Sequence, residues 1–398
     1  MKSFVTKIVE SDLCIGCGLC ESVSGSNNIK MHFDENGFLY PKVINYVPIS
    51  DDIIKRICPS VNVVGDIEYS MKSGVWGAIE NLYSSYANEP IVRHIGSSGG
   101  VVSAIAIFLL ETNSVDAVLQ VGGDKDDYSR NTLRVSKTRE DVLNCASSRY
   151  APALVFDKII ELLESTIMTF CFIGKPCDIS GLTNLLVEFP KYKDRFKLNI
   201  AIICAGMPSR NATDRLIDGF NPDRPVHNLI YRGNGWPGFF SFTDKNDLEF
   251  KMSYNESWGN VLGKEIHPRC KICPDGIGLQ ADIVVGDAWE TKDGYPDFTE
   301  KKGLSLLIVR SLKAKDIVTS IVKSEAITIN LISKEKLKIM QPYQFNRRKK
   351  AGVRIFSFMI VKRIKLNFKN LNLLKNTLSL SIITIAREFL GTLKRTIK

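Results

Sequence analysis

Cys14, Cys17 and Cys20 stand two residues apart, and a fourth cysteine, Cys58, lies directly before Pro59. Three thiolates at that spacing, closed by a distant Cys-Pro, can wrap a cubane iron–sulfur cluster and so carry single electrons. The short gaps turn the chain tightly enough to aim three sulfurs at one body, and Gly16 and Gly18 let backbone amides approach those sulfurs. Soft thiolates suit iron and sulfide. Where two clusters are bound in one such segment, a further cysteine follows the third by four positions; here that position is Ser24, so the segment reads as a single cluster site. Zinc is the alternative, with this CxxC pairing with a later one; the third cysteine and the Cys-Pro count against it.

A second chelating loop is Cys270-Lys271-Ile272-Cys273, followed by Gly276 and Gly278. Alone it is compatible with zinc, redox chemistry or chance. Two more cysteines are placed by their surroundings. A buried strand over Ile167 to Ile173 leads through the turn Gly174-Lys175-Pro176-Cys177 into a helix from Asp178 to Glu188. A second buried strand, Leu198 to Cys204, then runs into Ala205-Gly206. Strands joined through a helix lie parallel, so Cys177 and Cys204 emerge on one sheet edge, the edge at which open α/β sheets bind ligands. With Cys270 and Cys273 they make four thiols able to converge on a second 4Fe-4S cluster. The opposing reading leaves Cys204 in the core and Cys177 at a helix start. Cys171, inside an apolar strand, and Cys145, near a helix end, read as structural.

Other residues suit a flat, phosphorylated cofactor. Gly96-Ser97-Ser98-Gly99-Gly100 opens an apolar helix running from Val101 to about Leu110, with Arg93 and His94 nearby. Its amides can meet a phosphate, or its small residues can serve close packing. Tyr231-Arg232-Gly233-Asn234-Gly235-Trp236-Pro237-Gly238 can clamp a flat ring or cap a hairpin. The strand over Ala281 to Trp289 offers Asp282 and Asp287 to a ribityl or substrate hydroxyl, though acids at strand ends also form turns.

The elements that must position these groups follow from length and pattern. At 398 residues and 44% hydrophobic content the chain is globular, with room for two or three domains. Ten cysteines behind an N-terminus without an apolar leader read as a protein of a reducing compartment, the cytoplasm. Residues 1–65 form a small ferredoxin-like module: Ile29 to Val43 alternates around the Glu35-Asn36-Gly37 turn, and Ser50-Asp51-Asp52 caps a helix that delivers Cys58. Residues 66–93 read as an irregular connector and 94–342 as an α/β core, the whole being α+β. Residues 343–398 read as a basic helical tail.

Fourteen of the 53 Lys and Arg but one of the 43 Asp and Glu, Glu388, fall at positions 347–398, leaving 39 basic and 42 acidic residues before them. The body is mildly acidic, which argues against a nucleic-acid groove. No apolar run reaches the length of a membrane span. Apolar residues interleave with Lys and Arg from Arg354 to Lys369, and Leu378, Ile382, Ile385, Phe389 and Leu393 recur at helical spacing. Such helices suit a peripheral contact with the anionic inner face of a membrane, or dock on the body or a partner subunit.

Taken together, Gly96 to Gly100, Ser147-Ser148-Arg149-Tyr150, Gly174 to Cys177, Cys204-Ala205-Gly206, Tyr231-Arg232-Gly233, Cys270 with Cys273, and Asp282 with Gly286-Asp287-Ala288-Trp289 resemble the coenzyme F420 hydrogenase/dehydrogenase beta-subunit family, which includes chlorophyll-cycle reductases. The resemblance spans about residues 90 to 310. It implies FAD on the α/β domain beside a 4Fe-4S cluster held by Cys177, Cys204, Cys270 and Cys273, with Gly96 to Gly100, Asp282 and Asp287 in the flavin site. Lys175 and Arg232 then become the groups expected to face flavin or substrate. Electrons from ferredoxin or another small donor would enter at Cys14, Cys17, Cys20 and Cys58 and reach FAD and an unidentified substrate. The alternatives are deazaflavin-dependent hydride transfer, and an electron-transfer subunit for a partner enzyme, in the polysaccharide-synthesis settings where the family also occurs.

Overall fold

In the computed structural model, residues 2–65, 74–124, 127–128 and 130–397 are described. The first module holds an antiparallel hairpin of β1 (Ile29–Phe33) and β2 (Leu39–Val43), with Ile29 opposite Val43 and Phe33 opposite Leu39, and a short β3 (Asn62–Val64). The helix that delivers Cys58 is Pro48–Ile57, two residues longer at its start than expected, because proline is pre-organised for a first turn. Asp51 does not cap it; its carboxylate accepts the Phe4 amide at 3.0 and 2.9 Å, tying the first helix, Phe4–Glu10, to the module.

Of the expected connector, residues 66–73 lie outside the described residues. The remainder is not irregular: it contains β4 (Asn81–Ala87) and the helix Pro90–Ile95. Tyr83 and Tyr86 belong to that strand, whose Leu82 is buried in the sheet. The following strands are β5 (Ala117–Gly123), β6 (Asn131–Ser136), β7 (Phe170–Gly174), β8 (Phe196–Ile202), β9 (His227–Ile230), β10 (Phe239–Thr243), β11 (Glu249–Ser253), β12 (Ile283–Asp287), a ribbon of β13 (Thr291–Lys292) and β14 (Tyr295–Pro296), β15 (Ser305–Val309) and β16 (Ile327–Leu331). Eight of them form one mixed sheet in the order β16-β4-β15-β12-β8-β7-β5-β6. Its middle strands β12, β8, β7 and β5 are parallel, as the strand–helix–strand reading requires, and antiparallel strands flank them.

Both faces of this sheet are covered, which is why its strands read as continuous apolar runs. Phe170 and Phe172 of β7 enter one core with the helices Ile159–Ser165 and Pro176–Glu188. Cys171 and Ile173, pointing the other way, enter a second core with the helices Val101–Glu111 and Leu312–Lys323. The first strand begins at Phe170, not Ile167, since Ile167 is fully exposed ahead of it. Between β8 and β12 an insertion carries the sheet β11-β10-β9 on its own aromatic core of Phe240, Phe242 and Tyr231, and then the second cysteine loop.

Residues 343–398 do not hang free. The helix Pro342–Lys362 buries Ala351, Ile355 and Phe358 against Ile8, Leu13, Val61 and Ile272, and β17 (Asn367–Lys369) pairs parallel with β3. The C-terminal segment thereby completes the N-terminal module.

Candidate functional site

Each cysteine of the first set receives backbone donors. The sulfur of Cys14 accepts from the Gly16 amide, Cys17 from Leu19, Cys20 from Glu21, and Cys58 from Ser60 and Val61. Gly16 makes this geometry with φ +68°, and a Cβ there would stand 2.6 Å from the Leu39 carbonyl, so only glycine is accommodated. The four thiols are electrostatic neighbours. Burial pushes all of them up, Cys14 to about 12, and their mutual repulsion adds to the rise in Cys14, Cys17 and Cys20.

The second set assembles as the parallel edge predicts. Cys177 follows β7 at the start of Pro176–Glu188, Cys204 follows β8, and Cys270 and Cys273 lie on and just after the turn Pro268–Lys271. Cys204 feels both Cys270 and Cys273, and Cys177 feels Cys204 and Cys273. Arg347, from the C-terminal helix, donates to the carbonyls of Cys204 (2.7 Å) and Cys270 (2.9 Å), and Gln344 adds a bond to Cys204 O at 2.9 Å. Lys175 holds its ammonium 2.8 Å from Asp178. Burial alone would lower that ammonium's pKa; Asp178 and Cys177 outweigh it and hold the lysine charged.

Two buried charges link the sets. Burial pushes Cys17 and Cys177 up, and the carboxylate of Asp178 adds to the rise in both. Burial likewise raises Cys58 and Cys270, and the guanidinium of Arg269 partly offsets this in both; its Nε donates to Ser60 O at 2.8 Å. His267 forms a third link. Its Nδ1 accepts from the Arg269 amide at 3.1 Å, so the ring proton sits on Nε2 and is donated to Tyr40 Oη at 2.9 Å.

A single metal ion needs donors meeting on one point, about 2.3 Å away for sulfur. Among the described residues no group of three or more His, Cys, Asp or Glu is so placed. The shared chemistry of the two sets is four soft thiols each, with amides aimed at every sulfur of the first set and at that of Cys270 in the second, which fits the larger body of a 4Fe-4S cluster.

The flavin-side residues divide. Gly96 to Gly100 reach the same edge beside β4 and β15, but packing explains much of their smallness: Gly99 N donates to Ser305 Oγ at 2.8 Å, and a Cβ on Gly99 would stand 2.7 Å from Ser85 O. Ser97 and Ser98 hydroxyls donate to Arg232 O (2.9 Å) and Leu304 O (3.0 Å). The helix Val101–Glu111 behind them has no side-chain cap. Asp287 also lies on this edge, though its carboxylate is taken by Arg232 at 2.8 and 2.5 Å and by the Trp236 indole at 2.8 Å. Arg232 is 3% exposed and lies against the rings of Tyr254 (4.9 Å) and Trp289 (5.1 Å), which stack on each other at 6.0 Å, so its guanidinium is committed to protein partners. Breaking such a buried pair costs about 3–5 kcal/mol. Asp282 is not brought to the site. It stands just before β12 at the opposite edge, where it accepts from Asn199 N (2.9 Å) and Ser311 Oγ (2.9 Å) and pairs with Lys313 at 3.2 Å.

Three residues escaped the sequence reading, and a fourth, Arg149, entered it only as part of the resemblance. Arg269 adjoins Cys270 and was visible there; Tyr254 and Arg347 carry no local signal. Arg149 stands at the carboxyl end of β5, packed on Gly123, and its Nε is buried with no hydrogen-bond partner among the described residues. Such an orphaned donor beside an uncapped helix start suits an acidic or phosphorylated ligand.

Comparison with known proteins agrees with this architecture. Residues 167–335 match the family model for the C-terminal part of the beta subunit of coenzyme F420 hydrogenase/dehydrogenase, and residues 82–160 match the model for its N-terminal part. The coenzyme F420-dependent sulfite reductase of Methanocaldococcus jannaschii is 27% identical over 359 residues, which cover 86% of this chain and 51% of that protein; the chain thus spans about half its length. The coenzyme F420 hydrogenase subunit beta of Methanococcus voltae is 22% identical, over 69% of this chain and 93% of the relative. A chain of the F420-reducing NiFe hydrogenase complex from Methanosarcina barkeri shares the fold, with a TM-score of 0.53 and 16% identity over 71% of this chain and 95% of that one.

Proposed function

Since this chain belongs to the coenzyme F420 hydrogenase/dehydrogenase beta-subunit family, we propose that it is an electron-transfer oxidoreductase that exchanges a hydride with a deazaflavin coenzyme and passes the electrons singly to a partner. The observation that carries this reading is the pair of four-thiol sets with Asp178 and Arg269 as common neighbours, which supports reading them as consecutive stations of one path. Bound FAD would supply the conversion between hydride and single electrons, and two 4Fe-4S clusters would supply the carriers.

The residues divide the work accordingly. Cys14, Cys17, Cys20 and Cys58 would hold one cluster; Cys177, Cys204, Cys270 and Cys273 would hold the other. Gly96 to Gly100, the uncapped start of Val101–Glu111 and Arg149 would take the flavin phosphates. Arg232 and Asp287 would hold the aromatic cluster of Trp236, Trp289 and Tyr254 in place, and Lys175 would offset part of the negative charge that Asp178 places beside Cys177. Relatives named for coenzyme F420 favour the deazaflavin over ferredoxin as the donor, and none of these three is named for polysaccharide synthesis. A redox protein or partner subunit then belongs at the other end of the path. A cleft of about 1250 Å³ opens there between the first module and the core, lined by Glu21, Lys30, Asp157 and Arg210.

Anaerobic purification should yield about eight irons and one FAD per chain, and Cys177→Ala should retain about four irons. Reduced coenzyme F420 should then bleach the flavin absorbance. Four irons without flavin, or unchanged iron in Cys177→Ala, would sink the site assignment. Bleaching by reduced ferredoxin but not by the deazaflavin would sink the donor.

A further inference from the structure

A surface helix ordinarily turns its apolar stripe toward the core, whereas the last helix, Ile382–Ile397, turns only part of it inward, with Phe389 against Phe356, and leaves the rest uncovered. Ile382, Ile383, Leu390 and Ile397 are 84%, 73%, 63% and 67% exposed. At about 100° per residue these four fall within one arc of about 100°. The opposite side, with Glu388, Phe389 and Thr392, meets the helix Pro342–Lys362: Glu388 pairs with Arg354 at 2.7 Å and Lys350 at 2.8 Å, and the Ser357 hydroxyl donates to Phe389 O at 3.0 Å. The short helix just before it, Leu373–Leu378, adds Leu374 and Leu378, 72% and 69% exposed.

The charge around this apolar face is of one sign. Arg387 and Lys394 are exposed along its flank, and Lys375 lies on the preceding helix. The single acid of positions 347–398, Glu388, is the residue turned inward and neutralised. No helix among the described residues is long and apolar enough to cross a membrane.

We propose that this face lies on an anionic lipid bilayer, the helix Ile382–Ile397 resting in the plane of the interface with its apolar residues at the acyl boundary. An exposed apolar arc with Arg387 and Lys394 on its flank and its one acid turned inward matches that surface in both polarity and charge, and each basic residue near it contributes about 1 kcal/mol.

The test is co-flotation of the full-length, cofactor-loaded protein with lipid vesicles. The protein should float with vesicles of phosphatidylglycerol and phosphatidylcholine, remain below with phosphatidylcholine alone, and detach as salt rises. Ile383→Asp with Leu390→Asp should abolish flotation while leaving iron content and circular dichroism unchanged, since both side chains are exposed. Arg387→Gln with Lys394→Gln should weaken partitioning about thirtyfold. Absence of flotation with the anionic vesicles, or equal flotation with both kinds, overturns the proposal. A concentration-dependent dimer that Ile383→Asp dissociates, in a protein that ignores vesicles, would assign the face to a second copy of the chain.

Discussion

A side chain that loses its water must be paired or remain neutral, and two residues of the site take opposite courses. Arg232 stays charged: burial alone would lower its pKa, and Asp287 foremost reverses that. His267 stays neutral. It is fully buried, and burial, followed by the charges of Arg269 and Lys271, brings its pKa from 6.5 down to about 3. Below pH 6.5 the unfolded chain binds a proton here that the folded chain refuses. The contribution is therefore complete above pH 6.5 and is lost as pH falls toward 3. Between pH 7 and 5 this amounts to about 2 kcal/mol, at 1.36 kcal/mol per pH unit below 6.5. Denaturant titrations at those two pH values should show that loss in the native protein. In His267→Asn, whose side-chain oxygen can still accept the Arg269 amide, the loss should largely disappear. An equal pH dependence in both proteins would mean that His267 titrates in the folded state as it does in the unfolded chain.

Elements with a strong local pattern were legible in the sequence. The β1–β2 hairpin announced itself by alternation around a turn, and the unit from β7 through Pro176–Glu188 to β8 by two apolar runs with a helix between them; that unit alone brings Cys177 and Cys204 to one edge. Asp282 and Asp287 looked equivalent because strand direction relative to the ligand edge depends on partners distant in sequence. The helix Pro342–Lys362 was least legible. In a run of cations, Arg347 and Arg348 read as part of a basic tail, and nothing local reveals that they meet buried carbonyls. Arg348 Nη2 donates to Leu371 O at 2.7 Å, while Arg347 spans Cys204 and Cys270 with two nitrogens of one planar fork. Arg347 is therefore a positioning residue for the second thiol set. Arg347→Ala should leave about four irons per chain, those of the first set, and Arg347→Lys should restore little, because an ammonium lacks the fork. Iron analysis and the visible spectrum decide this; retention of all the iron would show that the two carbonyls hold the loop without the arginine.

At the scale of the whole molecule, the two ends of the chain are built into one another and into the path between the thiol sets. β17 pairs with β3 four residues after Cys58, Lys362 reaches Asp12 at 2.7 Å two residues before Cys14, and Asn184 of the core bonds the carbonyls of Ile57 and Asn62 at 3.1 Å each. Ile355, Phe358 and Leu366 fill the shared core with Ile8, Leu13, Val61 and Ile272. At about 1.5–3 kcal/mol for each large apolar side chain buried, those three contribute about 5–9 kcal/mol, which rivals the net stability of an ordinary domain, about 5–15 kcal/mol. A chain ending at Asn346 should therefore lose the first module together with the support of the second thiol loop, and bind iron in neither set. A chain ending at Ser381 keeps β17 and the part of Pro342–Lys362 packed on the first module and gives up only the outermost helix with the Glu388 ion pairs, so it should keep about eight irons. Iron content and thermal unfolding of the two truncations separate the cases. If the shorter chain retained both clusters, positions 343–398 would be an appendage; if the longer one lost them, the last helix would brace the cluster-bearing core as well as present its outer face.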